Sequence, residues 1–392
     1  MISTRIKPYQ THPEAFIISC YFNTNNYDSR RKNFDIFYRQ LKRSNVNYLI
    51  AECAFGNEKF ELPEDDKILR FRSKHKIWQK ERLLNILIKQ LPPRCKYVFW
   101  VDADVLFTNE NWIVEAVESL KTNAICQPFS LAVRLEKDEI EPSFNVQGSK
   151  LLVDFPNAKA PPQTRLWRSF AYNCNQNRRL AESLMFDIHG HTGFAWGARR
   201  EILEKNPLFD RAIVGTADHI IAHASVGQIP HNCLEKAFTN RKTLDKIYDW
   251  SLKFSEATQN KLGFTEGEVW HLWHGELENR QYLQRTQDFS KLDFDADEDL
   301  LINDDDLYEF PDNRKDAVIW MNNYFESRRE DEKNSSNETT YTYNETKYVP
   351  TETNYTPTET VISAEKIEPF TGFGGGGEFE GSGAGGSWEN YS

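Results

Sequence analysis

The stretch KYVFWVDADVLFTNENW, Lys96 to Trp112, decides the fold. Its continuous apolar run, Tyr97 to Val101, is typical of a strand that is buried on both faces. The run ends in two carboxylates separated by a single residue, Asp102 and Asp104, and apolar residues then resume. The question is why a buried strand should end in two acids.

The residues around this stretch alternate between strand and helix patterns. Apolar runs at 15–22 and 47–53 predict strands, and a helix that Asp28 or Ser29 caps lies between them. A second helix is predicted to begin at a Ser73 cap and to stop at Pro92. This alternation predicts an α/β fold with a mainly parallel, Rossmann-like sheet. In such sheets ligands bind at the carboxyl ends of the strands, which is where Asp102 is predicted to lie.

Length and charge narrow the class of protein. The chain has 392 residues, which is enough for one α/β domain of roughly 250–300 residues. The formal net charge is −11, and no basic face is evident, so a nucleic-acid partner is not expected. The charge does not exclude a phosphate ligand that a metal ion neutralises.

Cysteine usage and hydropathy predict a cytoplasmic protein. The six cysteines are scattered and contain no C-x-x-C pair, as in reduced intracellular proteins. Neither a secretory signal nor an apolar run of about 18 residues is found, so no transmembrane segment is expected. Residues 330–392 are Thr/Asn-rich and then Gly-rich, and we expect this tail to be disordered.

Two aspartates in a D-x-D pattern after a buried strand have three interpretations. They can form a solvated loop, which is the usual case for an isolated D-x-D. They can hold a hard divalent cation, because carboxylate oxygens suit Mg²⁺ or Mn²⁺. The first can also be an aspartyl-phosphate nucleophile, as in haloacid-dehalogenase-like phosphatases. That third reading needs the motif near the start of its domain, whereas about a hundred residues precede Asp102.

Four motifs in order resemble those of GT-A-fold glycosyltransferases. They are WVDADVLF, HTGFAWGARREIL, IVGTADHIIAHA and HLWHGELENRQY. The arrangement is similar to the beta-1,4-galactosyltransferase and family-2-like branch and to uncharacterised bacterial and viral glycosyltransferase-like proteins. The resemblance runs from about residue 16 to residue 310.

The resemblance implies roles for individual residues. Asp102 and Asp104 would bind Mn²⁺ or Mg²⁺ and, through it, the diphosphate of a nucleotide sugar. His271 and His274 of HLWH would complete the metal site, although positions i and i+3 of a strand face opposite sides unless the backbone turns. Asp218 of GTAD would be the catalytic base. Its alternative role is to cap the helix that follows.

Further residues are candidates for binding the donor. Gly193 lies in the Gly-containing turn that would face the donor sugar, and Trp196 would stack on a sugar or pack in the core. Arg199 would reach the diphosphate, and Arg82 lies on the helix that precedes the D-x-D strand. His219 and His223 are spaced like a metal-binding pair, but no glutamate makes them H-E-x-x-H, so no zinc site is expected.

Together these features predict a metal-dependent, inverting glycosyltransferase. It would transfer a sugar from a nucleotide-sugar donor, a UDP-sugar by preference, to a hydroxyl of a carbohydrate, lipid-linked sugar or protein acceptor. We expect a domain over 12–328, with a nucleotide-binding half at 12–130 and an acceptor and catalytic half at 131–328. The alternatives are an Asp-nucleophile phosphatase and a non-catalytic module that binds a nucleotide or sugar.

Overall fold

A computed structural model describes residues 3–143, 165–178 and 189–332. The predicted tail beyond residue 332 lies outside these residues. The strands are β1 Ala15–Phe22, β2 Tyr48–Phe55, β3 Ile68–Ser73, β4 Tyr97–Val101, β5 Val105–Phe107, β6 Ile125–Gln127, β7 Leu131–Arg134, β8 Leu166–Arg168, β9 Ala195–Arg199, β10 Leu262–Phe264, β11 Glu268–His271, β12 Leu301–Ile302 and β13 Tyr308–Glu309. The helices are α1 Asp28–Ser44, α2 Lys80–Gln90, α3 Trp112–Thr122, α4 Phe170–Gln176, α5 Arg200–Lys205, α6 Ala217–Ser225, α7 Asn232–Ala237, α8 Arg241–Thr258, α9 Gln284–Ser290 and α10 Lys315–Ser327, with a 3₁₀ turn at Glu278–Arg280.

The core of the fold is a seven-stranded sheet in the order β10-β6-β9-β4-β1-β2-β3. All neighbouring strands run parallel except β9, which is antiparallel to both β4 and β6. This confirms the predicted mainly parallel α/β sheet. Strands β9 and β10 come from beyond residue 130, so the two expected halves of the domain share one sheet.

Both faces of this sheet are covered, which explains why its strands read as continuous apolar runs. Neighbouring residues of a strand point to opposite faces. On β4, Phe99 packs into one buried cluster and Trp100 into the other, and both side chains are at most 2% exposed. Because β4 lies between β9 and β1, the residues that follow it emerge near the middle of the sheet's edge.

A second sheet of four strands, in the order β5-β11-β7-β8, meets this edge. Strand β5 follows the D-x-D turn directly and pairs antiparallel with β11, so that Val105 lies opposite His271. The amide of Leu272 donates to the Asp104 carbonyl at 2.9 Å. This pairing brings HLWH beside the D-x-D motif, although about 170 residues separate them in the chain.

The helix predicted to start at Ser73 begins instead at Lys80. Ser73 is the last residue of β3, an edge strand that the sequence analysis did not predict. Its hydroxyl donates to the carbonyls of His75 and Tyr308 rather than capping a helix. The predicted end of this helix is confirmed, since the helix stops at Gln90, ahead of Pro92.

The last described residues fold back on the first helix. The Asp331 carboxylate accepts hydrogen bonds from the amides of Asp28 at 2.8 Å and Ser29 at 2.7 Å. These amides belong to the first turn of α1, whose own N-cap residue, Tyr27, makes no side-chain cap. A residue some 300 positions away thus supplies the cap of α1.

The described residues include all the cysteines of the chain. All six cysteines have free thiols. Among the helices in 3–143, 165–178 and 189–332, none has both the length and the apolar character needed to cross a bilayer.

Candidate active site

The D-x-D turn lies where β4 leaves the sheet. The amide of Asp102 donates to the carbonyl of Phe194 at 2.8 Å, and the amide of Val105 donates back to the Asp102 carbonyl at 3.3 Å. These bonds fix the turn against the start of β9. Both aspartate side chains are partly exposed at the carboxyl edge of the sheet, 28% for Asp102 and 19% for Asp104.

Asp104, His271 and His274 bring three ligand atoms together. One carboxylate oxygen of Asp104 lies 3.0 Å from His274 Nε2, and the other lies 3.8 Å from His271 Nε2. The two histidine Nε2 atoms are 3.2 Å apart. Strand β11 ends at His271, so His274 lies outside the alternation of the strand, and both side chains face the same point despite their i, i+3 spacing.

The contacts of His274 place a proton on its Nδ1 nitrogen. Nδ1 lies 3.3 Å from a carboxylate oxygen of Glu330, and a carboxylate oxygen only accepts hydrogen bonds. The other nitrogen, Nε2, faces Arg280 at 2.9 Å and Asp104 at 3.0 Å. A carboxylate behind an imidazole in this way orients metal-binding histidines and raises their basicity.

Glu330 is itself held as a carboxylate although it is only 2% exposed. Burial would raise its pKa, but Arg30, at 3.0 Å, and Arg328 outweigh burial and hold the pKa well below its usual value. The composition of the chain predicts that this residue begins the tail. It lies instead directly behind a candidate metal ligand.

The donor set fits a divalent cation. Asp104 Oδ1 is buried and has no hydrogen-bond partner among the described residues. Burial lowers the pKa of His271 well below its usual value, so His271 is neutral, as a ligand must be. Ligand atoms about 3 Å apart match neighbouring positions around an ion with bonds of about 2.1 Å. Two imidazoles beside a carboxylate favour Mn²⁺ over Mg²⁺. Such an ion would displace the Arg280 contact from His274.

Asp102 is engaged elsewhere, in an ion pair that also includes Asp218. Lys80 Nζ lies 2.7 Å from Asp102 and 3.0 Å from Asp218, and its side chain is 11% exposed. Burial alone would lower the pKa of Lys80, but the two carboxylates hold it well above its usual value. Burial raises the pKa of Asp102 to about 6, even though Lys80 acts in the opposite direction.

Asp218 does not cap its helix. Helix α6 begins at Ala217, its N-cap residue is Thr216, and no side chain makes the cap. The Asp218 carboxylate faces Lys80 instead. A Cβ added to Gly193 would lie 3.6 Å from the Asp218 carboxylate, so this glycine borders the same space.

Two residues that flank the site have positive φ angles, which are rare for residues other than glycine. They are Phe194, at φ 78°, beside the D-x-D turn, and Thr216, at φ 81°, ahead of Asp218. Phe194 also stacks on His191 with 3.9 Å between the rings. Strained backbone of this kind costs on the order of 1–3 kcal/mol and is concentrated at functional sites.

The structure does not bring three of the predicted donor-binding residues to this cluster. Trp196 is fully buried and stacks on Trp100 in the core. Arg199 lies at the far end of β9, opposite Tyr97, where it bonds backbone carbonyls of the α3 region. Arg82 binds Asp210 and Asp306 and covers Tyr308. Each of these side chains has a structural role where it stands.

Lys80 takes the place that the sequence analysis gave to Arg82. Successive helical residues are rotated by about 100°, so side chains two positions apart point in nearly opposite directions. Lys80, the first residue of α2, faces the D-x-D turn, and Arg82 therefore faces away from it. The helical pattern separates these two side chains but does not show which of them faces the D-x-D turn. Glu330 and Arg280 have no signal in the sequence.

Comparison with known proteins gives matches to structures only. The sequence matches no family model and no curated protein. One similar solved structure is a mutant of Drosophila beta-1,4-galactosyltransferase 7 in complex with manganese, UDP-Gal and xylobiose, with 11% identity, 79% of this chain and 98% of that chain covered, and a TM-score of 0.35. Another is a glycosyltransferase involved in glycosylation of the major capsid of PBCV-1, with 12% identity, coverage of 69% and 100%, and a TM-score of 0.24. A third is 4-diphosphocytidyl-2C-methyl-D-erythritol synthase from Anaerococcus prevotii, with 11% identity, coverage of 83% and 99%, and a TM-score of 0.28.

Two of these structures are a galactosyltransferase and a glycosyltransferase. With TM-scores below 0.5, these matches carry no argument about this chain. The argument for an activity rests on the side chains of the site.

Proposed function

We propose that this protein is a metal-dependent, inverting glycosyltransferase that uses a nucleotide sugar, preferably a UDP-sugar, as its donor. One observation carries the proposal. Asp104, His271 and His274 point their ligand atoms at one place on the carboxyl edge of the sheet, and the D-x-D turn links them to the Lys80–Asp218 pair. A cation site and a carboxylate base on one edge are what transfer from a diphosphate leaving group needs.

Three side chains would hold the ion, and Glu330 would orient one of them through His274 Nδ1. When bound, Mn²⁺ supplies positive charge that stabilises the diphosphate as it leaves. Lys80 adds a fixed positive charge next to Asp102. All of these groups are positioned before substrate binds, so little reorganisation is needed during the reaction.

Asp218 would accept the proton of the acceptor hydroxyl at its carboxylate. Lys80 holds this carboxylate in one orientation, because both of its oxygens lie within 3.2 Å of Lys80 Nζ. Gly193 leaves the space beside it open, since any side chain there would approach both His191 and Asp218. A base placed opposite the leaving group leads to inversion at the sugar carbon.

Thermal unfolding with nucleoside diphosphates tests the donor site. A ligand at a hundred times its dissociation constant stabilises the native state by about 2.7 kcal/mol, which should raise the unfolding midpoint by several degrees. We expect a shift with UDP that requires Mn²⁺ and is lost in Asp104→Asn. Asp312→Asn is the matched control, because that carboxylate is 96% exposed and its ion pair is with Lys74. If no nucleotide shifts the midpoint with Mn²⁺ present, the donor site is refuted.

A turnover assay then separates the classes of protein. Release of nucleoside diphosphate from a UDP-sugar in the presence of candidate acceptors measures transfer. Asp218→Asn should abolish release and leave the thermal shift intact. A binding module would give the shift in both proteins and turnover in neither. A phosphatase would release phosphate from a simple phosphate ester and ignore the nucleotide.

A further inference from the structure

A second cluster of ligand-type side chains lies buried away from the site described above. It consists of His189, His219, His223 and Cys233, and all four side chains are at most 2% exposed. His219 and His223 lie one turn apart on α6, and Cys233 is on α7. His189 precedes β9 in the chain. The four residues therefore join three separate segments.

The three imidazoles converge on one sulfur. Cys233 Sγ lies 2.6 Å from His219 Nε2, 3.4 Å from His223 Nε2 and 3.9 Å from His189 Nε2. In a tetrahedral zinc site with bonds of about 2.3 Å to sulfur and 2.0–2.1 Å to nitrogen, sulfur and nitrogen ligands lie about 3.5 Å apart. The observed separations bracket this value.

Two of the histidines are held with Nε2 directed at the sulfur. His189 Nδ1 lies 2.9 Å from the Gly190 carbonyl, and His223 Nδ1 lies 3.2 Å from the side-chain oxygen of Gln228. Since carbonyl oxygens only accept, each Nδ1 carries the proton and each Nε2 presents its lone pair. This is the outer-shell arrangement that fixes histidine ligands in metal sites.

Aromatic packing encloses the cluster. Phe170 packs its ring edge-on against His189 and His223, with ring centroids 5.7 and 5.5 Å apart. An enclosed site with four protein ligands is characteristic of structural rather than catalytic zinc.

We propose that His189, His219, His223 and Cys233 form a structural zinc site. Binding deprotonates the Cys233 thiol, the thiolate and three neutral imidazoles bond to Zn²⁺, and the thiol proton passes to solvent. The ion carries a net charge of +1 with its thiolate, and the Gly190 and Gln228 oxygens behind the imidazoles stabilise that charge. The bound ion would connect α6 to α7 and to the segment before β9.

The site also bears on the proposed active site. His219 directly follows Asp218, so an ion bound there anchors the first turn of α6, which carries the proposed base. The three imidazole ligands and the thiolate are nevertheless distinct from the oxygen-containing Mn²⁺ set. The two sites can therefore be tested separately.

Metal content and cobalt spectroscopy of the full chain test the proposal. Protein purified from zinc-supplemented cells should contain about one zinc per chain. Replacement of zinc by Co²⁺ should give the visible absorption of tetrahedral cobalt and a near-ultraviolet thiolate-to-metal band. The Mn²⁺ set contains no sulfur, so that band reports this site alone. If the wild-type protein holds no zinc and Co²⁺ gives no thiolate band, the proposal is refuted.

Single substitutions show which residues bind the zinc. Cys233→Ser should lose the thiolate band and at least about tenfold in zinc affinity, and Cys174→Ser, a buried cysteine outside the cluster, should keep both. Asp104→Asn should keep the zinc. Zinc that is lost in Asp104→Asn and retained in Cys233→Ser would overturn the assignment. Because the wild-type spectrum is decisive by itself, the test stands even if Cys233→Ser does not fold.

Discussion

Lys80→Met is the most informative single substitution, because it removes the cation between two partly buried carboxylates. With Lys80 Nζ 2.7 Å from Asp102 and 3.0 Å from Asp218, the gross attractions are each about 6 kcal/mol at an effective dielectric constant of 20. Desolvation of the three groups offsets most of this. Breaking a fully buried pair costs about 3–5 kcal/mol. Both carboxylates are about a quarter exposed, so we expect a loss of about 2–3 kcal/mol.

Urea denaturation monitored by tryptophan fluorescence measures this loss. The control is Lys89→Met, on the same helix, whose lysine is 64% exposed and pairs with Asp306; it should change the free energy of unfolding by less than about 0.5 kcal/mol. The double variant Lys80→Met/Asp218→Asn also removes one of the two carboxylates that Lys80→Met leaves without a cation. It should therefore recover about half of the lost free energy of unfolding. Two results would refute the ion-pair argument. One is a loss of unfolding free energy in Lys80→Met that is no larger than the loss in Lys89→Met. The other is strict additivity of the two single substitutions in the double variant.

Three further predictions concern other parts of the site and its surroundings. Glu330→Gln weakens the orientation of His274 and should lower Mn²⁺ affinity about 10–100-fold, as isothermal titration would show; unchanged affinity would contradict the role of Glu330. Burial raises the pKa of Glu81 to about 8, so the native state binds a proton that the unfolded state releases, and its stability falls as pH rises from about 5 to about 8. Glu81→Gln should remove up to about 1.4 kcal/mol of that fall per pH unit, and parallel slopes for the two proteins in urea titrations would contradict it. Arg82→Met should lower the unfolding midpoint, because it breaks the contacts with Asp210 and Asp306. It should leave the KM for the donor unchanged, and a raised KM would show that Arg82 binds the donor.

The sequence was most informative where the signal is local. The apolar run of β4 and the two acids after it predicted both the strand and its place at the sheet edge. The same holds for β1, whose bounds are the predicted ones. Residues next to each other in the chain are necessarily next to each other in space, so composition and periodicity suffice there.

The sequence was least informative where residues far apart in the chain meet. Strand β3 is not evident from the sequence, so the predicted start of α2 is too early. The helical pattern alone does not show whether the face of Lys80 or that of Arg82 meets the D-x-D turn. His189 and Cys233 are 44 residues apart and carry no recognisable spacing. Glu330 sits where composition changes, so it was grouped with the tail. Only tertiary structure places these side chains.

The capping of α1 by Asp331 has a consequence for the order in which this protein folds during synthesis. The cap of α1 and the carboxylate behind His274 both come from the last described residues, so neither exists until nearly all of the described chain has left the ribosome. The sheet can assemble earlier, since β1, β2, β3 and β4 are contiguous in the chain. The growing chain therefore has part of its sheet in place before Glu330 can orient His274, the proposed metal ligand, and competence for metal binding would arise late in synthesis.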